Sequence, residues 1–177
     1  MALRTILADP RAVAALPQTG WRRLYVEDRT AAFAAPDGLG WATIVLSRTP
    51  DGSWTYMGLS RSGPPRRYRQ GAGPATWRFD PNHSRPTPNS KTVAVLVAEL
   101  PCTSGQPCDD RLLAPELDIS SDAIDVTFFV TSLPPGHYKC PGNPPCAVVV
   151  ELPEPLGVRR LRDGCTYPPR GPDDPWV

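Results

Sequence analysis

Five cysteines carry the most specific chemistry in this 177-residue chain: Cys102, Cys108, Cys140, Cys146 and Cys165. Four form two pairs of one spacing, Cys-x5-Cys, in Cys102-Thr-Ser-Gly-Gln-Pro-Cys108 and Cys140-Pro-Gly-Asn-Pro-Pro-Cys146. Each pair adjoins a strand-like run and lies in a loop rich in Gly and Pro. Such a pattern reads as a disulfide framework in an oxidising compartment. Spacing alone leaves three connectivities open: two local loops, a ladder (102–140 and 108–146), or a crossed pair (102–146 and 108–140). Zinc is the rival, but it favours tighter spacings such as Cys-x2-Cys, so no metal site is expected. Cys165 is the odd residue and is read as a free thiol, the alternatives being an intermolecular bridge or pairing with another of the cysteines. A nucleophilic role would need a base beside it, and the sequence places neither His83 nor His137 there.

The remaining reactive side chains give weaker signals. Both histidines lie in polar loops, in Asn82-His83-Ser84 (also a glycosylation sequon) and in Gly136-His137-Tyr138. Asp118, Asp122 and Asp125 have the composition of a Ca²⁺ loop, but a solvated turn is the favoured reading. Glu151 and Glu154 flank Pro153, a spacing that does not set the separation glycoside hydrolysis requires. Arg66, Arg67 and Arg69, with Arg61 close by and Tyr68 interleaved, form a candidate anion-binding loop, the arrangement that pairs phosphate contacts with stacking. Trp54 is a candidate stacking surface, although at least half of the tryptophans are expected in the core. No Gly-rich phosphate loop, Gly-x-Ser-x-Gly elbow or His-Glu-x-x-His helix is present, and no cofactor is expected. The catalytic residues, if any, stay unknown.

These groups must be held by β structure. The chain has 24 Pro and 14 Gly, with 40% hydrophobic and 21% charged residues. That Pro content excludes a helical bundle or coiled coil, while the apolar fraction supports a core. Alternating runs predict hairpins from Arg22–Glu27 with Thr30–Ala34, and from Trp41–Ser47 with Ser53–Ser60. The second is joined by Thr49-Pro50-Asp51-Gly52, where Pro presets one turn position and Gly supplies a positive φ. Further strands are expected at 75–79, 92–100, 123–132, 147–152 and 158–161. Val93-Ala-Val-Leu-Val97, apolar on both faces, reads as a central buried strand. Asp9 as N-cap and Pro10 at the first helical position predict one short helix ending near Leu16. The expected fold is therefore all-β, a β-sandwich or Greek-key barrel. It comprises an N-terminal extension over 1–20, a single domain over 21–167 with 80–90 as candidate linker, and a loose Pro-rich tail over 168–177.

The net charge of +1 conceals an asymmetry. Residues 1–91 carry 13 basic and 6 acidic side chains, and residues 92–177 carry 6 and 12. Seventeen of the 19 basic residues are Arg, which alongside abundant Ala, Gly and Pro is what GC-rich coding produces. No run approaches the ~18 apolar residues of a membrane span. The first 20 residues lack the 7–15-residue apolar core of a signal peptide, so the disulfide reading expects a leader or anchor removed ahead of Met1. A native Met1 would instead imply a cytoplasmic chain with reduced thiols.

Three segments together resemble a known pattern: Cys102-Thr-Ser-Gly105 followed by Arg111 and Pro115; Cys140-Pro-Gly-Asn-Pro144; and Glu154-Pro-Leu-Gly-Val-Arg159 with Leu161-x-Asp163-Gly164. The set resembles an uncharacterised domain of exported or lipid-anchored proteins in high-GC Gram-positive bacteria. That family has no assigned activity. The chain departs from its pattern at Cys165, where Gly is expected. The resemblance implies that Cys102 and Cys140 are mates, with Cys108–Cys146 as a second rung. The first rung would close a loop of about 40 residues, stabilising by roughly 3–4 kcal/mol on a chain-entropy argument. The resulting expectation is an extracellular or cell-surface β module with a binding or structural role, its partner an envelope or protein ligand. A hydrolase acting on envelope polymers, and a polyanion or nucleic-acid binder using the Arg61–Arg69 loop, are the less favoured readings.

Overall fold

The computed structural model describes residues 16–38, 40–61 and 64–174. The expected helix over 9–16 lies outside the described residues except for Leu16, which is buried. The chain is all-β, and among the described residues the only helical piece is one 3₁₀ turn, Asp109–Arg111. It forms two compact units, the first ending at Gln70 and the second beginning at Gly71. Sequence alone suggests a single domain with 80–90 as linker. The division falls instead inside the Pro/Gly/Arg loop over 61–74. Segment 80–90 is an integral part of the second unit. The backbone N–H groups of Leu156 and Gly157 bond to the carbonyls of Ser90 and Pro88 there, at 2.9 and 2.8 Å.

The first unit is an antiparallel meander of β1 (Arg22–Val26), β2 (Thr30–Asp37), β3 (Gly40–Arg48) and β4 (Trp54–Ser60). β3 alternates as a half-buried strand should, with Ala42, Ile44 and Leu46 inward. Leu16, Ala31, Ile44 and Leu46 make a small core, against which Trp21, Phe33, Trp54 and Leu59 pack. The β3–β4 turn follows the predicted chemistry: Gly52 adopts φ +86°, and the Asp51 carboxylate accepts the Ser53 N–H at 3.0 Å.

The second unit contains β5 (Ala72–Phe79), β6 (Thr92–Glu99), β7 (Glu116–Ile119), β8 (Ala123–Thr131), β9 (Cys146–Glu151) and β10 (Arg160–Asp163). Its sheet runs β10-β8-β5-β6-β9, and β7 also pairs with β8. β7 was invisible in the sequence, which reads as irregular over 101–122. β5 pairs with β8 only from Ala72 to Ala75, opposite Phe128–Thr131, then diverges toward β6. β10 fills the opening, lying parallel to β8 opposite Ala123–Val126. The Trp77 indole N–H spans the same opening to the Val126 carbonyl at 2.9 Å, and that carbonyl also accepts the Gly164 N–H at 3.0 Å. Val93, Val95 and Val97 of β6 meet Ile124, Val126, Phe128 and Val130 of β8 in one core around Trp77. Burying these side chains supplies the main driving force for the unit, about 1.5–3 kcal/mol for each large one.

Over residues 164–174, the segment after β10 is tied to the rest of the unit. Asp163 and Arg170 form a β-bridge with backbone bonds of 2.8 and 3.1 Å in both directions, and Asp173 receives both terminal nitrogens of Arg85.

Candidate functional site

The best-built polar region of the second unit lies where the loop after β6 meets the loop before β9. Cys102 is joined to Cys140 and Cys108 to Cys146, each pair 38 residues apart, which is the ladder connectivity. The rungs differ in setting. Cys108 and Cys146 are fully buried at the edge of the core, whereas Cys102 is half-buried and Cys140 exposed. Asn143, one residue of the Cys-Pro-Gly-Asn run, completes the clamp. Its side-chain nitrogen donates to the carbonyls of Glu99 (2.6 Å) and Pro101 (2.7 Å), and its oxygen accepts from the Thr103 hydroxyl at 2.7 Å. Ser104 and Lys139 exchange two further bonds at 2.9 Å. Sequence reasoning missed Asn143 and Thr103 as clamp residues. Beside the clamp lies a cleft of about 230 Å³, bordered by Thr76, Glu99, the Cys102–Cys140 bond and Asn143. The Glu99 carboxylate there is already held by both terminal nitrogens of Arg111, at 3.1 and 2.5 Å.

Cys165 keeps a free thiol and is buried. It sits in a cluster centred on Asp163, whose side chain has no exposed surface. Asp163 Oδ2 accepts from the Thr76 hydroxyl (2.6 Å) and Arg170 Nε (3.1 Å), and Oδ1 accepts from the Cys165 N–H (3.0 Å). Arg170 also reaches the Thr76 hydroxyl oxygen. Burial first, and then the adjacent carboxylate, push the Cys165 thiol far above its ordinary range. A thiol so placed stays protonated and is a poor nucleophile. The cluster binds the returning segment to the opening between β5 and β8.

The other reactive groups are held in pairs. Asp125 takes a bidentate contact from Arg162 at 2.6 and 3.0 Å, and Asp122 pairs with Arg160 at 3.2 Å. Two of the three carboxylates considered for Ca²⁺ are thereby neutralised by arginines of β10. Glu154 pairs with Arg159, while Glu151 ends β9 exposed to solvent. His83 Nδ1 lies 3.0 Å from Asp80 Oδ2, in a turn where Asp80 also accepts the Asn82 N–H. That N–H, and then the histidine, hold the Asp80 carboxyl below the usual range. His137 is exposed in its loop. Among the described residues no group of three or more His, Cys, Asp or Glu is placed to hold a metal ion, and no helix is long and apolar enough to cross a membrane.

In the first unit, Arg66, Tyr68 and Arg69 are exposed and Arg67 is half-buried. Tyr68 meets the ring of Tyr25 edge-on at 6.3 Å. Arg61 pairs with Asp37 at 2.7 Å. Trp54 is partly buried against the small core, so its indole is largely a packing element. No protein-family model, curated protein or solved structure matches this chain.

Proposed function

We propose that the chain is a secreted or surface-anchored β module that binds or supports a partner outside the cytosol. The observation that carries the reading is the pair of disulfide rungs joining the loops over 101–108 and 139–146. Two such bonds persist in oxidising compartments and are rare where glutathione keeps thiols reduced. The rest of the chemistry agrees. The one free thiol is buried and kept protonated, and Asp122, Asp125, Glu99, Glu154 and Asp163 all face arginines. The resemblance to exported domains through Cys102-Thr-Ser-Gly105 and Cys140-Pro-Gly-Asn-Pro144 belongs to the same proposal.

The test is a thiol count and a non-reducing peptide map on protein made in an oxidising compartment. One free thiol, with peptides linked 102–140 and 108–146, supports the reading. Five thiols titrating in unfolded, unreduced protein, or stoichiometric zinc in a metal assay, overturns it.

A second reading has one observation behind it: the exposed ring of Tyr68 flanked by exposed Arg66 and Arg69. On this reading the first unit binds a polyanion. Retention on heparin should then fall steeply with salt and be lost when Arg66 and Arg67 are both changed to Ala.

A further inference from the structure

Among the described residues, the strand β9 is an open sheet edge. It pairs with β6 on one side and is the last strand of the sheet on the other. The Leu152 N–H bonds to the Lys91 carbonyl at 2.8 Å, which sets the phase of the ladder. By alternation, Cys146, Val148 and Val150 turn their backbone groups to β6, while Ala147, Val149 and Glu151 turn theirs outward. Among the described residues these outward N–H and C=O groups bond to nothing. The side chains follow the same period. Val150 and Cys146 enter the core with Val148 packed against it, whereas Ala147, Val149 and Glu151 are exposed, Val149 by 60%. Across from them on β6 lie Leu96 and Ala94, both half-buried.

Proteins usually blunt such an edge with Lys, Pro, a bulge or a covering loop. Among the described residues, β9 has none of these within its span. It reads Cys-Ala-Val-Val-Val-Glu, with Pro145 before it and Pro153 two residues after its end. The buried Cys108–Cys146 bond fixes its first residue to the core, so the template is rigid.

We propose that β9 pairs antiparallel with β9 of a second copy of this chain, across a two-fold axis at Val149. The strand's own chemistry selects that partner and register. An axis on any residue from Ala147 to Glu151 sets outward-facing residues opposite one another, and the flanking prolines separate these registers: an axis at Val148 sets Glu151 against the partner's Pro145, and an axis at Val150 sets Ala147 against the partner's Pro153, each losing a donor. An axis at Ala147 sets Val149 against the partner's Pro145, which has no N–H to give. An axis at Glu151 sets the two carboxylates face to face, which is destabilising, and Val149 against the partner's Pro153. An axis at Val149 sets Val149 against itself and Ala147 against Glu151. Every pair then exchanges both of its bonds, the exposed valines cover one another, and the only charge in the strand faces an alanine. The contact is symmetric and closes on itself, as two-fold interfaces do.

The interface is small, so the dimer belongs to the weak class. The experiment uses the full chain with both disulfides already mapped, so its outcome is separate from that of the compartment reading. Sedimentation of the wild type over a rising concentration series should reveal a concentration-dependent dimer. Val149→Lys should remain monomeric with an unchanged circular dichroism spectrum and disulfide map. Val149→Cys should cross-link to itself on oxidation, because the register puts the two Cα atoms about 5.5 Å apart, within disulfide reach. Ala147→Cys should not, since its two copies lie about 13 Å apart along the strand. A wild type that stays monomeric throughout, or Ala147→Cys cross-linking as readily as Val149→Cys, overturns the proposal. So does capture of an unrelated extended peptide at β9 by a monomeric chain.

Discussion

Arg170 places its Nε 3.1 Å from Oδ2 of Asp163, a carboxylate with no solvent exposure, and thereby ties the segment after β10 into the fold. The guanidinium is itself mostly buried, and the carboxylate's remaining acceptor capacity is taken by Thr76 and the Cys165 N–H. Removing one partner of such a pair leaves a charge without compensation. Arg170→Ala should therefore cost about 3–5 kcal/mol in denaturant unfolding, a large share of the ~5–15 kcal/mol a domain has. Replacing both partners, Asp163→Asn with Arg170→Met, should cost less than the single change. Additive losses in the double-mutant cycle would mean that the two side chains do not act as a pair.

The two disulfides should reduce in order. Cys140 is exposed and Cys102 half-buried, while Cys108 and Cys146 are shielded by the core. Thiol–disulfide exchange needs access to a sulfur. Limited treatment with a dithiol reductant, followed by alkylation and mass spectrometry, should label Cys102 and Cys140 well before Cys108 and Cys146. Cys165 should stay unlabelled until the chain unfolds. Simultaneous labelling of all four bridged cysteines would show that the inner rung opens as easily as the outer.

The extent to which this architecture can be read from sequence follows the range of the interactions. The hairpin from β3 to β4 is local: alternation marks the strands, and Asp51 and Gly52 mark the turn. β6 is legible because Val93, Val95 and Val97 form an apolar run that only a buried strand accommodates. β7 is not, because Glu116-Leu-Asp-Ile119 is short and half polar, and its order comes from pairing with β8. The latch at Asp163 is likewise invisible. Its partners lie at Thr76, Cys165 and Arg170, brought together by the parallel docking of β10, and no local pattern encodes that. Pro and Gly density alone misplaces the division between units, because 80–90 is fixed by backbone bonds to residues 156 and 157. For the cysteines, spacing identifies a framework and leaves its connectivity open; the loops over 101–108 and 139–146 decide it by lying side by side.

Gly164 should not tolerate a side chain. A Cβ there would collide with the Thr127 hydroxyl oxygen, on a fully buried residue of β8. The Gly164 N–H is bonded to Val126, so the backbone cannot retreat without losing that bond. Gly164→Ala should destabilise by about 1–3 kcal/mol, the range for overpacking. Adding Thr127→Ala removes the nearest atom and should recover part of the loss. Equal stability of Gly164→Ala and the wild type in urea titration would show that β8 and β10 can move apart freely.

Asp51 should titrate near pH 2. The Thr49 hydroxyl and the N–H and hydroxyl of Ser53 all donate to its carboxylate and lower it from 3.8 to about 2. A depressed carboxylate supports the folded state fully above its unfolded value. That support is lost as pH falls through the folded value, here between about 4 and 2. The group is exposed, so the effect belongs to the β3–β4 turn more than to global stability. NMR titration of the Asp51 side-chain carbon should place the midpoint near 2 in the wild type. Thr49→Val removes the leading donor and should move the midpoint back toward 3.8. An unchanged midpoint in that variant would mean that Ser53 alone holds the carboxylate, and that the Thr49 hydroxyl contributes nothing to the turn.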